Sequence, residues 1–187
     1  MSLINIIFVV LVLGIIYFIM IYNKFVSLCA GIDASWSDID IQLKRRYNLI
    51  PALVDTVKGY TKYEADTLEK VIKARQQGLN AKSVDEKKEA TAMLSSALGG
   101  FFALAEAYPQ LKADSTFIKL QNELSTIEDT IQNARRYYNA IVRDNNAKID
   151  SFPDLIIAQK FNFTKRDYFE LDKSEIDAVK KMPKIDL

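Results

Sequence analysis

An all-α fold follows from three observations. Apolar residues recur at steps of three and four along most of the chain, an uncharged apolar stretch opens it, and only six glycines and four prolines interrupt it. The expected architecture is an N-terminal transmembrane helix continuing into an antiparallel up-and-down bundle of three long helices, with a short C-terminal helix and tail. In residue terms, 1–23 form a signal-anchor helix, 24–160 the helical bundle, and 161–187 a tail strapped onto the bundle or a neighbour.

The opening element is "INIIFVVLVLGIIYFIMIY", from Ile4 to Tyr22 with Gly14 near its middle, nineteen residues without a charge. As a helix it measures about 28 Å, the thickness of a bilayer's hydrocarbon core. Tyr22 is placed for the aromatic belt. No basic region precedes the run and no small-x-small site follows, so a retained anchor fits better than a cleaved leader. Lys24 and the later Lys44, Arg45 and Arg46 favour a cytoplasmic soluble part in a bacterial inner membrane, with an extracytoplasmic placement as the alternative. Cys29 follows the apolar run, but Leu28 stands where a lipidation signal wants a small residue.

Past the membrane, the helical seam continues through Phe25, Leu28, Ile32, Trp36, Ile39, Leu43, Tyr47, Ile50, Val54 and Val57. Nothing between Tyr22 and Trp36 stops a helix, so anchor and seam read as one rod of about 80 Å if unbroken. Pro51 lacks the N–H that would bond to the Tyr47 carbonyl, so a kink is expected there, and Gly59 softens the helix again. The pattern resumes at Leu68, Val71 and Ile72 and fades at "QQGLNAKS", where Gly78 and Asn80 suit a helix end.

Ser83 and Glu86 have capping-box spacing and open the next helix, which runs to Tyr108 before Pro109. Its "SALGGFFALAEA" is small and apolar, and Gly99-Gly100 admits close approach of another backbone. A third long helix starts near Asp114 or Ser115. Its seam is Phe117, Leu120, Leu124, Ile127, Ile131, Ala134, Tyr138, Ile141 and Asn145, ending before Pro153. The short helix "DLIIAQKF" and a polar tail dotted with aromatic residues complete the chain.

Composition removes several function classes. Twenty-five basic residues against twenty-four acidic leave no basic excess for a nucleic-acid backbone. The absence of histidine excludes Ser-His and Cys-His nucleophile pairs, histidine acid–base chemistry and the Glu-x-x-His ligands of di-metal bundles. One cysteine makes neither an internal disulfide nor a thiolate cluster. No catalytic residue, cofactor or metal is expected.

Two long blocks, "ASWSDIDIQLKRRYNLIPALVDTVKGYTKYE" and "LSTIEDTIQNARRYYNAIVRDNNAKIDSFP", resemble the hallmark segments of the LemA family of bacterial membrane-anchored helical proteins, and the terminal "MPKIDL" resembles its usual ending. Asn145 stands where that pattern has a tyrosine, and Tyr63 where it has a histidine. The resemblance implies a single membrane helix, a helical bundle and no established enzymatic activity. Related proteins of magnetosome-forming bacteria point to work on membranes.

The polar residues inside the seams are the candidate functional set. Lys44, Arg45 and Arg46 suit either anionic lipid headgroups or carboxylates of a neighbouring helix or subunit. A straight helix puts Lys44 some 30 Å beyond Tyr22, several Debye lengths from the bilayer, which favours ion pairs. Glu128, Arg135 and Arg136 form a second polar stripe, fitted to set register between helices or subunits. Tyr47 and Tyr138 read as core residues whose hydroxyls find a polar partner, with Arg46 or Glu128 as candidates. The function expected is a non-enzymatic membrane scaffold that self-associates. The alternative is a membrane-tethered signalling or adaptor module that responds to a ligand or protein partner.

Overall fold

The computed structural model describes residues 3–60 and 64–169. The expected tail beyond 169, with "MPKIDL", and Tyr63 lie outside the described residues. Among the described residues all regular structure is helical, in the order α1 (Leu3–Lys58), α2 (Ala65–Asn80), α3 (Val84–Glu106), α4 (Pro109–Lys112), α5 (Ser115–Asp150) and α6 (Asp154–Lys160).

α1 runs unbroken from the apolar opening into the seam, because no residue in between removes its hydrogen bonds or its helix propensity. Nearly all side chains from Leu3 to Met20 are exposed, the pattern of a helix whose apolar surface is meant for lipid. Pro51 lies inside α1, which continues as helix to Lys58, and Gly59 falls in the turn beyond.

Local chemistry sets the other helix starts. Ser83 Oγ accepts from the Glu86 N–H, and the Glu86 carboxylate accepts from the Ser83 N–H, closing the expected capping box of α3. Pro109 ends α3 and opens the single turn α4, where its missing N–H costs nothing. Asp114 Oδ1 accepts from the N–H groups of Thr116 and Phe117 at 2.8 and 2.9 Å, so α5 begins at Ser115.

Gly78 does not cap α2. The helix continues to Asn80 with Ala81 beyond it, and Gly78 is buried inside it. A Cβ there would fall 2.4 Å from Cζ of Tyr47, so the residue is small because a buried ring lies against it.

The chain divides into two compact units, to both of which α1 and α5 contribute. One contains residues 39–133. Its buried faces include Leu43, Ile50 and Val54 of α1, Val71 and Ala74 of α2, Leu94, Leu98 and Phe101 of α3, and Leu124 and Ile131 of α5. The rings of Phe101, Phe102 and Phe117 cluster where α3 meets the start of α5, with centroids 5.5–6.5 Å apart.

The other unit contains the N-terminal part of α1 to Asp38 and residues 134–168. Ile21, Phe25, Ile149, Ile157 and Ala158 form its buried cluster, with Tyr22 and Phe163 against it. Trp36 meets Tyr138 at 5.6 Å between ring centroids, and Ile141 lies against α1 at Gly31.

Candidate functional site

Within the 39–133 unit, Arg46 is fully buried on α1. Its side chain forms an ion pair with Glu128 of α5, and its Nη2 donates to Ser95 Oγ of α3 at 3.0 Å. Nε and Oε1 of the pair make no aligned hydrogen bond, so the contact is mainly coulombic. A guanidinium stays protonated at any physiological pH, so burying it demands a fixed counter-charge. Glu128 supplies that charge, and the node ties three helices at one level. Its one hydroxyl, Ser95 Oγ, accepts from the arginine, and the chain has no histidine to serve as a base beside it.

The other expected polar residues separate from this node. Lys44 is exposed and bonds Asp40 one turn back at 2.8 Å, and Asp40 also takes Lys87 of α3. Burial pushes the Asp40 carboxyl up, but the hydrogen bonds from Lys44 and Lys87 and their charges outweigh it and hold the group below its ordinary value. Arg45 is exposed and donates to Gln42 at 3.3 Å. Arg135 is buried in the other unit, and Arg136 is exposed there.

Pro51 has a consequence that spacing alone did not reveal. The Tyr47 carbonyl, left without its helical donor, accepts from Arg75 Nε of α2 at 2.8 Å. A side chain from another helix thus replaces the hydrogen bond the proline removes.

Between α2 and α3 lies a groove of about 780 Å³, open to solvent. Lys70 and Lys73 are its charged residues, Ser95 of the buried node reaches it, and Ala74, Ala92 and Gly100 keep its walls low. No carboxylate among the described residues lines it. Among the described residues no atom lies within 4 Å of where a Cβ on Gly99 or Gly100 would stand, so none of them uses the close approach these glycines permit. Among the described residues, no group of three or more His, Cys, Asp or Glu side chains is arranged to hold a metal ion.

In the 134–168 unit, residues after α6 run back along α5, and a pair of amides holds them. Asn146 Nδ2 donates to the Arg166 carbonyl and Asn146 Oδ1 accepts from the Arg166 N–H, both at 2.9 Å, a ladder-like pairing made by one side chain. Asn145, fully buried, donates to the Thr164 carbonyl at 3.4 Å. The Tyr138 hydroxyl donates to the Asp167 carbonyl at 3.0 Å, so its partner is backbone rather than Arg46 or Glu128. Burial, first among its causes, pushes the Tyr138 phenol up. The signal for this contact was "DNN" in mid-helix, where two poor helix formers sit on and beside the seam.

The first quoted block covers the second half of α1, including Arg46, Tyr47 and Pro51, and the second covers α5 from Leu124 onward, including Glu128 and Asn146. The LemA family profile matches residues 35–186. The chain belongs to the LemA family. Protein LemA of Metamycoplasma hominis is 31% identical over 93% of this chain and 80% of its own length. Magnetosome protein MamQ 2 of Paramagnetospirillum magneticum is 25% identical over 87% of this chain and 71% of its own. Magnetosome protein MamQ of Magnetospirillum gryphiswaldense is 23% identical over 81% and 65% respectively. Membership in the LemA family and the apolar opening of α1 together make this a membrane-associated helical protein.

Proposed function

We propose that this LemA-family chain is a non-enzymatic scaffold, anchored by α1, that self-associates side by side in the membrane and organises it. The charge flanking the anchor favours a cytoplasmic soluble part. Relatives named as magnetosome proteins fit such a role. The buried charges also support it, since Arg46 and Glu128 serve to hold helices in register and present no reactive group to solvent.

One observation carries the reading: two surfaces of the 39–133 unit are complementary and lie at one level. The α2–α3 groove offers Lys70 and Lys73, neither with a partner among the described residues. On α5, the stretch from Leu120 to Ala134 contains no basic residue, and Glu123 and Asp129 flank Thr126 on its exposed side. Ser95 in the groove and Glu128 in that stretch both touch Arg46, so the two surfaces share a level. A contact between two different faces of one unit repeats from copy to copy into a ring or a row.

The test is the mass of the full-length protein in nanodiscs. A discrete assembly is expected, which Lys70→Glu with Lys73→Glu breaks and which added Glu123→Lys with Asp129→Lys restores. A monomer in the wild type would sink the scaffold and turn attention to a ligand in the groove. An assembly indifferent to these charges would keep the scaffold but remove this contact.

A further inference from the structure

The membrane-proximal foot of the protein carries an apolar surface that faces outward. After α5 the chain turns at residues 151–153, forms α6, and packs against the part of α1 that leaves the apolar segment. The Phe161 ring lies 5.8 Å from that of Phe18 and 4.9 Å, edge to face, from that of Tyr22. Phe163 stacks on Phe25 with centroids 4.8 Å apart. Phe18 is four residues inside the end of the uncharged segment, about 6 Å along the helix. Phe161 therefore sits at a depth that belongs to the bilayer rather than to water.

The neighbouring side chains agree with that depth. Phe152 is 82% exposed and Ile156 58% exposed, while the next residue on α6, Ile157, is buried against Ile21 and Phe25. The foot thus has one apolar face on α1 and a second that no described residue covers. Its carboxylates are neutralised in place: Asp154 by Lys148 at 2.9 Å and Asp150 by Lys165 at 2.7 Å. Lys160, exposed at the end of α6, has no partner among the described residues. Paired acids, exposed apolar side chains and the lysine at the end of α6 match a surface that lies in the headgroup and upper acyl region of a membrane.

We propose that α6 and its flanking turns form a second, non-spanning membrane contact. In it Phe152, Ile156 and Phe161 enter the lipid interface beside α1, and Lys160 reaches the headgroups. The occupant is a lipid surface because the patch is continuous with the segment that crosses the bilayer. The contact holds whether or not the chain self-associates. Its consequence is mechanical: α1 and the end of α5 are both held at the membrane, so the unit they share is fixed against it at two points and cannot swivel freely about a single helix.

The test uses the full chain in nanodiscs of neutral and anionic phospholipid, with a nitroxide on a single cysteine introduced as Phe152→Cys or Ile156→Cys in a Cys29→Ser background. Asn122→Cys, on an exposed part of α5, serves as the reference. Power saturation with oxygen, which partitions into lipid, and with a water-soluble nickel chelate reads the surroundings of each label. Both foot labels are expected to be reached by oxygen and shielded from nickel, giving ratios several-fold above the reference. Ready access by nickel at both positions would overturn the proposal. Shielding from both reagents would overturn it too, since protein rather than lipid would then cover the patch.

Discussion

Arg75 on α2 donates its Nε hydrogen to the carbonyl of Tyr47 on α1, the acceptor whose helical donor Pro51 removes. One helix thus repairs another, and the proline becomes a place where α2 is bound to α1 at a defined height. Gly78, one turn further along α2, meets the ring of the same tyrosine. The tyrosine, proline, arginine and glycine act together, although they are spread over two helices.

Arg75→Ala is expected to leave the Tyr47 carbonyl without a donor and to destabilise the protein by about 1–3 kcal/mol. Pro51→Ala restores an N–H at the position that serves this carbonyl within α1. The loss from Arg75→Ala should therefore be smaller in the Pro51→Ala background, as read by denaturant unfolding of the two single variants and the double. Equal losses in both backgrounds would show that the two residues do not share this acceptor.

Glu128→Gln is expected to cost about 3–5 kcal/mol, because it leaves the fully buried Arg46 without its counter-charge. Replacing both partners, Arg46→Met with Glu128→Leu, should recover most of that loss, since it removes the charge to be desolvated along with its partner. Thermal unfolding followed by circular dichroism separates these outcomes. A single variant as stable as wild type would mean that the pair is not desolvated as the structure has it.

Stability should fall in acid through Asp40 and Asp114. Burial pushes Asp40 up, yet Lys44 and Lys87 hold it below its ordinary value. Asp114 is lowered first by the Phe117 N–H and then by the Tyr60 hydroxyl, which donates to it at 2.8 Å. Because both folded-state values are depressed, the unfolded chain binds more protons as pH drops. Their contribution is present above the ordinary carboxylate value of about 4 and is lost as pH falls through the depressed values. Melting temperature measured across the acid range should decline below about pH 4, and Asp40→Asn should flatten that decline. An unchanged slope in Asp40→Asn would remove Asp40 from the account.

The elements were legible because helix formation here depends on local features. Periodic apolar residues, the Ser83–Glu86 box, the aspartate before α5 and Pro109 each act over a few positions and work as their spacing predicts. Long-range pairings had no such local mark. Gly78 looked like a helix end because glycine often ends helices, and only the packed bundle shows a tyrosine ring against it. Tyr138 needed a polar partner on general grounds, but that partner is a backbone carbonyl 29 positions away.

By itself the sequence determined the helical class, an apolar segment long enough to cross a membrane, and the family. Hydrophobic periodicity, an uncharged run long enough for a bilayer, and two ordered blocks are properties of residues near one another along the chain. Tertiary structure alone decided which buried charge meets which, where the Pro51 deficit is repaired and how Asn146 holds the returning chain. It also decided that α6 comes down beside Phe18. Each of these depends on which helix faces lie together at which height, and no stretch of sequence encodes that apart from the packing of the whole.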